Sequence, residues 1–181
     1  MSAPSFVSPA FVRTMAAYNG EMNARLYAAA GRLSDEARRL QRGAFWGSIH
    51  GTFNHLLWAD QIWMARFDGW APPAVASKEN ATMIADFAML ATMRAAADAK
   101  ISAWAARVDE AWLAADQVWF SGAMGREMRM ARGFLMMHFF NHQTHHRGQA
   151  HAMITAADEK TGDTDLFLLP PVLAAAGVGV F

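Results

Sequence analysis

The strongest constraint on this chain of 181 residues is a succession of long stretches that can each close into a helix and are each cut off by a helix-stopping sequence. The first opens at Ser8-Pro9, a hydroxyl N-cap followed by proline in the first turn. It carries Phe11, Met15, Tyr18, Met22 and Tyr27 and stops near Gly31. A short helix entered through Ser34-Asp35-Glu36 runs to about Gln41. The second long helix is expected from about Phe45 to Phe67, ended by Asp68-Gly69 ahead of Pro72-Pro73. An Ala-, Met- and Leu-rich stretch with Met83, Phe87, Leu90, Ile101 and Trp104 at mostly helical spacings predicts the third, from about Asn80 to Val108. The fourth runs from about Phe134 to Ala157 and is closed by the polar stretch Asp158 to Asp163.

Between Asp116 and Met130 the helical pattern lapses. Gln117 to Ser121 and Arg126 to Met130 read there as two short strands around a glycine-containing turn. The expectation is therefore one all-α domain over residues 1–181, a four-helix bundle with a small β-hairpin between its third and fourth helices. In such a fold, sites are built from side chains of facing helices.

Composition fits this architecture. Hydrophobic residues make up 54% and charged ones only 18%, enough for a core without disulfide or metal staples, and low enough in charge to suggest apolar surface buried against a second copy of the chain. Sixteen basic residues balance sixteen acidic ones with no Lys/Arg cluster, which argues against nucleic acid and anionic membranes as partners. The absence of cysteine excludes disulfides, thiolate metal sites and a cysteine nucleophile. Met1 to Pro9 lacks the basic region and apolar run of a signal peptide. The apolar tail from Leu166 to Phe181 is only sixteen residues, broken by Pro170 and Pro171, and too short to span a bilayer. The expected location is the cytoplasm.

The chemistry is concentrated in the histidines. His50 and His55 fall on the second long helix, and His138, His142, His145, His146 and His151 on the fourth. With about 100° of rotation per residue, positions four apart differ by about 40°, so His142 and His146 present their imidazoles on one face within reach of a common ion. Leu135, Phe139, Gln149 and Met153 share that stripe, which marks it as the face pointing inward. His138 and His145 lie on the same side but off its centre, as hydrogen-bond partners of the pair or alternate ligands. His151 lies nearly opposite His142 and is expected to be exposed.

A complete site needs a third ligand from the second helix. His50 and His55 are about 140° apart there, so only one can face the ion. His55 has the small residues Ser48, Thr52 and Ala59 on its own stripe, leaving room for an ion and an open pocket, whereas His50 is crowded by Trp46 and Phe53. The helix is apolar nearly all round, so periodicity alone does not settle the choice.

Three neutral imidazoles leave coordination positions for water or substrate, as in catalytic zinc sites. Nickel, iron or manganese can also use imidazole ligands. In His142-Gln143-Thr144-His145-His146 a glutamine stands where the zinc-protease helix needs its glutamate base, and neither histidine-bearing helix offers the inward glutamates of a di-iron bundle. Asp60 and Gln149 are polar residues placed to orient a ligand or bound thiol. A lone histidine on an apolar face is ordinarily a core residue satisfied by a hydrogen bond. The methionine and tryptophan stripes read as packing, and Arg66, Arg94, Arg107 and Arg147 as solvated or surface-paired.

Two segments resemble the signature of the DinB family. One is Gly47-Ser48-Ile49-His50-Gly51-Thr52-Phe53-Asn54-His55-Leu56-Leu57-Trp58-Ala59-Asp60 with Ile62-Trp63, and the other Phe140-Asn141-His142-Gln143-Thr144-His145-His146-Arg147-Gly148-Gln149. The resemblance runs from Leu33 to Leu166, and the Met-rich run Met124 to Met130 departs from it. It implies a four-helix bundle of up-down-down-up connectivity, often dimeric, with a divalent metal held by His55, His142 and His146. It also implies kinship with metal-dependent transferases and isomerases that use low-molecular-weight thiols, though such kinship secures a site better than an activity. Three functions are therefore open: a metal-dependent enzyme of thiol-transferase or hydrolase type acting on a small molecule, a non-catalytic metal-binding or stress-response protein, and a dimeric interaction module with structural histidines.

Overall fold

The structure, a computed structural model, describes residues 6–122 and 124–179. Residues 1–5, on which the signal-peptide reading partly rests, Ala123 and the last two residues of the apolar tail lie outside the described residues. The fold is mostly helical with one two-stranded antiparallel sheet.

Helix α1 (Pro9–Gly31) starts where expected, with Ser8 Oγ accepting from Phe11 N at 3.1 Å. The short α2 (Asp35–Arg39) is capped by Ser34 in the same way. Helix α3 (Ile49–Asp68) begins four residues later than the sequence suggests. Gly47 adopts φ 76°, a conformation that favours glycine, and the chain turns there before Ser48 Oγ caps the helix through Gly51 N at 3.0 Å. At its other end Gly69, at φ 68°, closes α3 with its N–H on Met64 O.

The third long helix is shorter than expected. Ser77–Thr82 is a separate 3-10 helix, and α4 (Phe87–Ala105) starts only after Asp86, whose Oδ1 accepts from Met89 N at 2.6 Å. After the short α5 (Glu110–Ala114), the expected hairpin is present as β1 (Asp116–Ser121) and β2 (Arg126–Ala131), in a register that places Trp119 opposite Met128. Strand β2 runs directly into α6 (Arg132–Thr155). The chain ends in a 3-10 turn, Leu166–Leu168, and α7 (Pro170–Ala176).

Each of α1, α3, α4 and α6 packs against two of the others, α1 and α3 both touching α4 and α6. Two apolar clusters result. One gathers Val12, Met64, Phe67, Ile101, Trp104, Leu135 and Phe139, the other Leu26, Ile49, Phe53, Leu57, Leu90, Met153 and Ile154. Along each long helix the residues between these clusters include buried polar ones: Asn19 and Asn23, Asp60, Arg94, and Gln143 and Arg147. Arg94 and Arg147, expected in solvent, are 2% and 4% exposed. A charge survives burial when it is paired, and Arg94 reaches Asp60 Oδ2 at 2.6 Å and Asp98 Oδ1 at 2.8 Å. Arg107 is surface-paired with Asp68 at 3.0 Å, as expected, and Arg66 lies over the rings of Trp63 and Trp119.

The apolar tail is partly consumed within the chain. Leu169 and Val172 are buried against Met22, with Tyr18 packed beside them, while Leu166, Phe167 and Leu168 remain exposed. No helix among the described residues is long and apolar enough to cross a membrane.

Candidate metal centre

Helices α3 and α6 lie side by side, and their facing surfaces bring His55, His142 and His146 together. His142 and His146 project from one face of α6, as their spacing requires, with ring centroids 4.6 Å apart. His55 completes the triangle at 5.0 Å from the His142 ring and 4.6 Å from that of His146. One ligand nitrogen from each residue lies within 4.8 Å of the other two, so the group could hold a metal ion. Nε2 of His55 and Nε2 of His142 are 3.1 Å apart. Tetrahedral nitrogen ligands at about 2.05 Å from zinc stand roughly 3.3 Å from one another, close to the separation of this pair.

The protonation states suit ligation. Burial first, then the neighbouring His142 and His146, push His55 down to about 3, with Asn80 acting in the opposite sense. Burial and then His146, His138 and His145 push His142 down to about 4. His146 is also lowered by burial, opposed by its hydrogen bond to Gln149. All three are neutral near pH 7 and offer a lone pair without first losing a proton.

Which nitrogen is offered depends on the other nitrogen's partner. His146 Nδ1 lies 2.9 Å from Gln149 Oε1, an acceptor, so Nδ1 carries the proton and Nε2 the lone pair. The Gln149 amide in turn lies 3.2 Å from His145 Nε2, which makes His145 an outer member of the same chain of contacts and leaves it exposed. Gln149 thus orients a histidine, not a bound ligand. On the His55 side, Asn80 is buried on the 3-10 helix, its Nδ2 donating to Ser77 O at 2.6 Å. His55 Nδ1 and Asn80 Oδ1 are both buried, and neither has a hydrogen-bond partner among the described residues.

His50 turns away from the group. Its Nε2 lies 2.8 Å from Ile84 O, and it is the satisfied core histidine of the pair on α3. Trp46, expected to crowd His50, instead stacks on His55 with centroids 4.0 Å apart and fills the space beside it that the small residues of α3 suggested would be open. His138 packs edge-on against Trp63 at 5.1 Å and stays outside the triangle. His151 is half-buried, not exposed, with its Nδ1 2.9 Å from Thr161 Oγ1. Asp60 has no freedom to orient a ligand, because its two oxygens are taken by Arg94 and by Gln143 Nε2 at 2.6 Å.

Asn80 and Trp46 are the two neighbours of the centre that sequence reasoning missed. Both lie outside the long helices of the structure, although the sequence predicts helix over each, and nothing in the local pattern ties either to His55.

No curated protein and no solved structure matches the chain. The model of the DinB family matches residues 1–170. With that match covering nearly the whole chain, and the paired histidines of α6 set against His55 of α3, the protein belongs to the DinB family.

Proposed function

We propose that His55, His142 and His146 bind one divalent metal ion, zinc or nickel in preference to iron or manganese, and that the protein is a metal-dependent enzyme acting on a small molecule. The observation that carries this reading is the convergence of three imidazole nitrogens within 4.8 Å of one another, with no carboxylate in the group. Such an ion, when bound, supplies Lewis acidity that lowers the pKa of a coordinated water or thiol. The chain's own contribution is to keep three imidazoles neutral, to hold His146 through Gln149, and to wall the His55 side with the stacked ring of Trp46. A low-molecular-weight thiol or small electrophile is the substrate class, and transfer to or from the thiol, or hydrolysis, the reaction class. The chain acts in the cytoplasm as a homodimer of single-domain, up-down-down-up four-helix bundles.

A second reading keeps the metal without the reaction. The ligands come from two helices, so an ion tying α3 to α6 would stabilise the fold as a non-catalytic centre. Elemental analysis of protein purified without chelator, repeated on His142→Ala and His146→Ala, tests both. Near-stoichiometric metal in the parent and its loss in the variants is expected. Absence of metal, with no uptake of added zinc or nickel, overturns them. Metal-dependent thiol transfer to an electrophile then separates enzyme from binder.

A further inference from the structure

On the side of α6 away from the histidine triangle, a cavity of about 250 Å³ lies between α1, α6 and the segment around Thr161 to Thr164. Arg147, on its wall, is about 140° round the helix from His142 and so points away from the metal centre. It is a charged side chain 4% exposed, yet its neutralisation is incomplete. Nη2 donates to Thr144 Oγ1 at 3.2 Å, Cζ lies 5.4 Å from the Tyr18 ring centroid, and Nη1 is buried with no partner among the described residues.

Arg94, buried to the same degree, has two carboxylates in contact. Arg147 has none among the described residues, only the Thr144 hydroxyl and the face of Tyr18. The cavity lining holds Arg25, Arg147 and His151 but, among the described residues, no carboxylate. A buried cation without a counter-charge is costly, and a site that keeps one is suited to receive an anion.

We propose that this cavity is a second binding site, for a compact organic carboxylate. The guanidinium of Arg147, with the Thr144 hydroxyl beside it, takes the carboxylate, and Met22 and Leu26 receive the apolar body. A monoanion fits better than phosphate, because Arg25 is already paired with Glu21 at 2.7 Å and Arg147 alone lacks a counter-charge. The volume suits an acid with a small branched or single-ring body.

Isothermal titration of the full-length protein with benzoate and isovalerate, against benzamide and isovaleramide, tests the assignment. Saturable binding of at least one acid at about 1 mM or tighter, with its amide at least about tenfold weaker, is expected. Two variants guard against a folding artefact. Arg147→Met removes the cation. Gly148→Leu fills the cavity from a helical position whose Cβ direction is open space, and leaves Arg147 in place. Both are expected to lose at least about tenfold in acid affinity, with the circular dichroism of Gly148→Leu unchanged. Acids bound no better than amides, tighter binding of inorganic phosphate, or undiminished acid binding by folded Gly148→Leu overturns the proposal. Binding abolished by chelator also overturns it, since the carboxylate would then sit on the metal centre.

Discussion

His146 and Gln149 are one turn apart on α6, and the 2.9 Å contact between Nδ1 of the first and Oε1 of the second fixes which nitrogen His146 offers to the centre. Outer contacts of this kind typically change metal affinity by about 10- to 100-fold when removed. Gln149→Leu keeps the helix and the packing volume but loses the acceptor. Calorimetric titration with zinc is expected to show affinity reduced by about 10-fold or more with stoichiometry still one per chain. Unchanged affinity would show that Gln149 does not orient the ligand.

The two histidines of α3 are expected to part cleanly. His55→Ala should lose metal and keep the fold. His50→Ala should keep metal and lose stability by about 1–3 kcal/mol, because a buried side chain and its hydrogen bond to Ile84 O are lost, with only Asn54 Nδ2 left on that oxygen at 3.1 Å. Urea unfolding and metal content measured on the same samples check both, and the reverse pattern would place His50 in the centre.

Acid should destabilise the metal-free protein from about pH 6.5 downward. His55 and His142 are held at about 3 and about 4 in the fold against an ordinary 6.5. Below pH 6.5 the unfolded chain therefore binds protons that the folded chain refuses, and stability rises with pH through this window. The urea midpoint is expected to fall as pH is lowered from 6.5 towards 4, and to fall less in His55→Ala/His142→Ala. An equal slope in the two proteins would contradict the depressed values.

Arg94 bridges Asp60 and Asp98, and removing it leaves the buried Asp60 and the part-buried Asp98 without a counter-charge. Arg94→Met is expected to cost about 3–5 kcal/mol in urea unfolding, whereas Arg107→Met, which breaks an exposed pair, should cost under about 1 kcal/mol. Similar costs for the two would deny Arg94 its role between the apolar clusters.

These residues also show what was legible in the sequence. Ser8-Pro9 and Asp68-Gly69 placed helix ends because capping is local chemistry. His142 and His146 were legible from their spacing, which fixes a shared face whatever packs against it. Arg94 and Arg147 were read as solvated because their burial depends on a cavity and on partners from other helices, which periodicity does not encode. The third helix is shorter than its spacings predict because the side chains of Asn80 and Asp86 bond to the backbone, at Ser77 O and Met89 N, and break the run before Phe87. His55 could be separated from His50 only weakly, since α3 is buried almost all round and the deciding contacts come from Ile84 and Asn80 on a later segment.

The proposed metal centre is three imidazoles, one from α3 and two from α6. X-ray absorption at the zinc edge of zinc-loaded protein tests it most directly. The predicted result is three imidazole nitrogens at about 2.0 Å with a further light-atom ligand and no sulfur, falling to two imidazoles in His55→Ala. A shell of oxygen ligands without imidazole, or an imidazole count unchanged in His55→Ala, would contradict it.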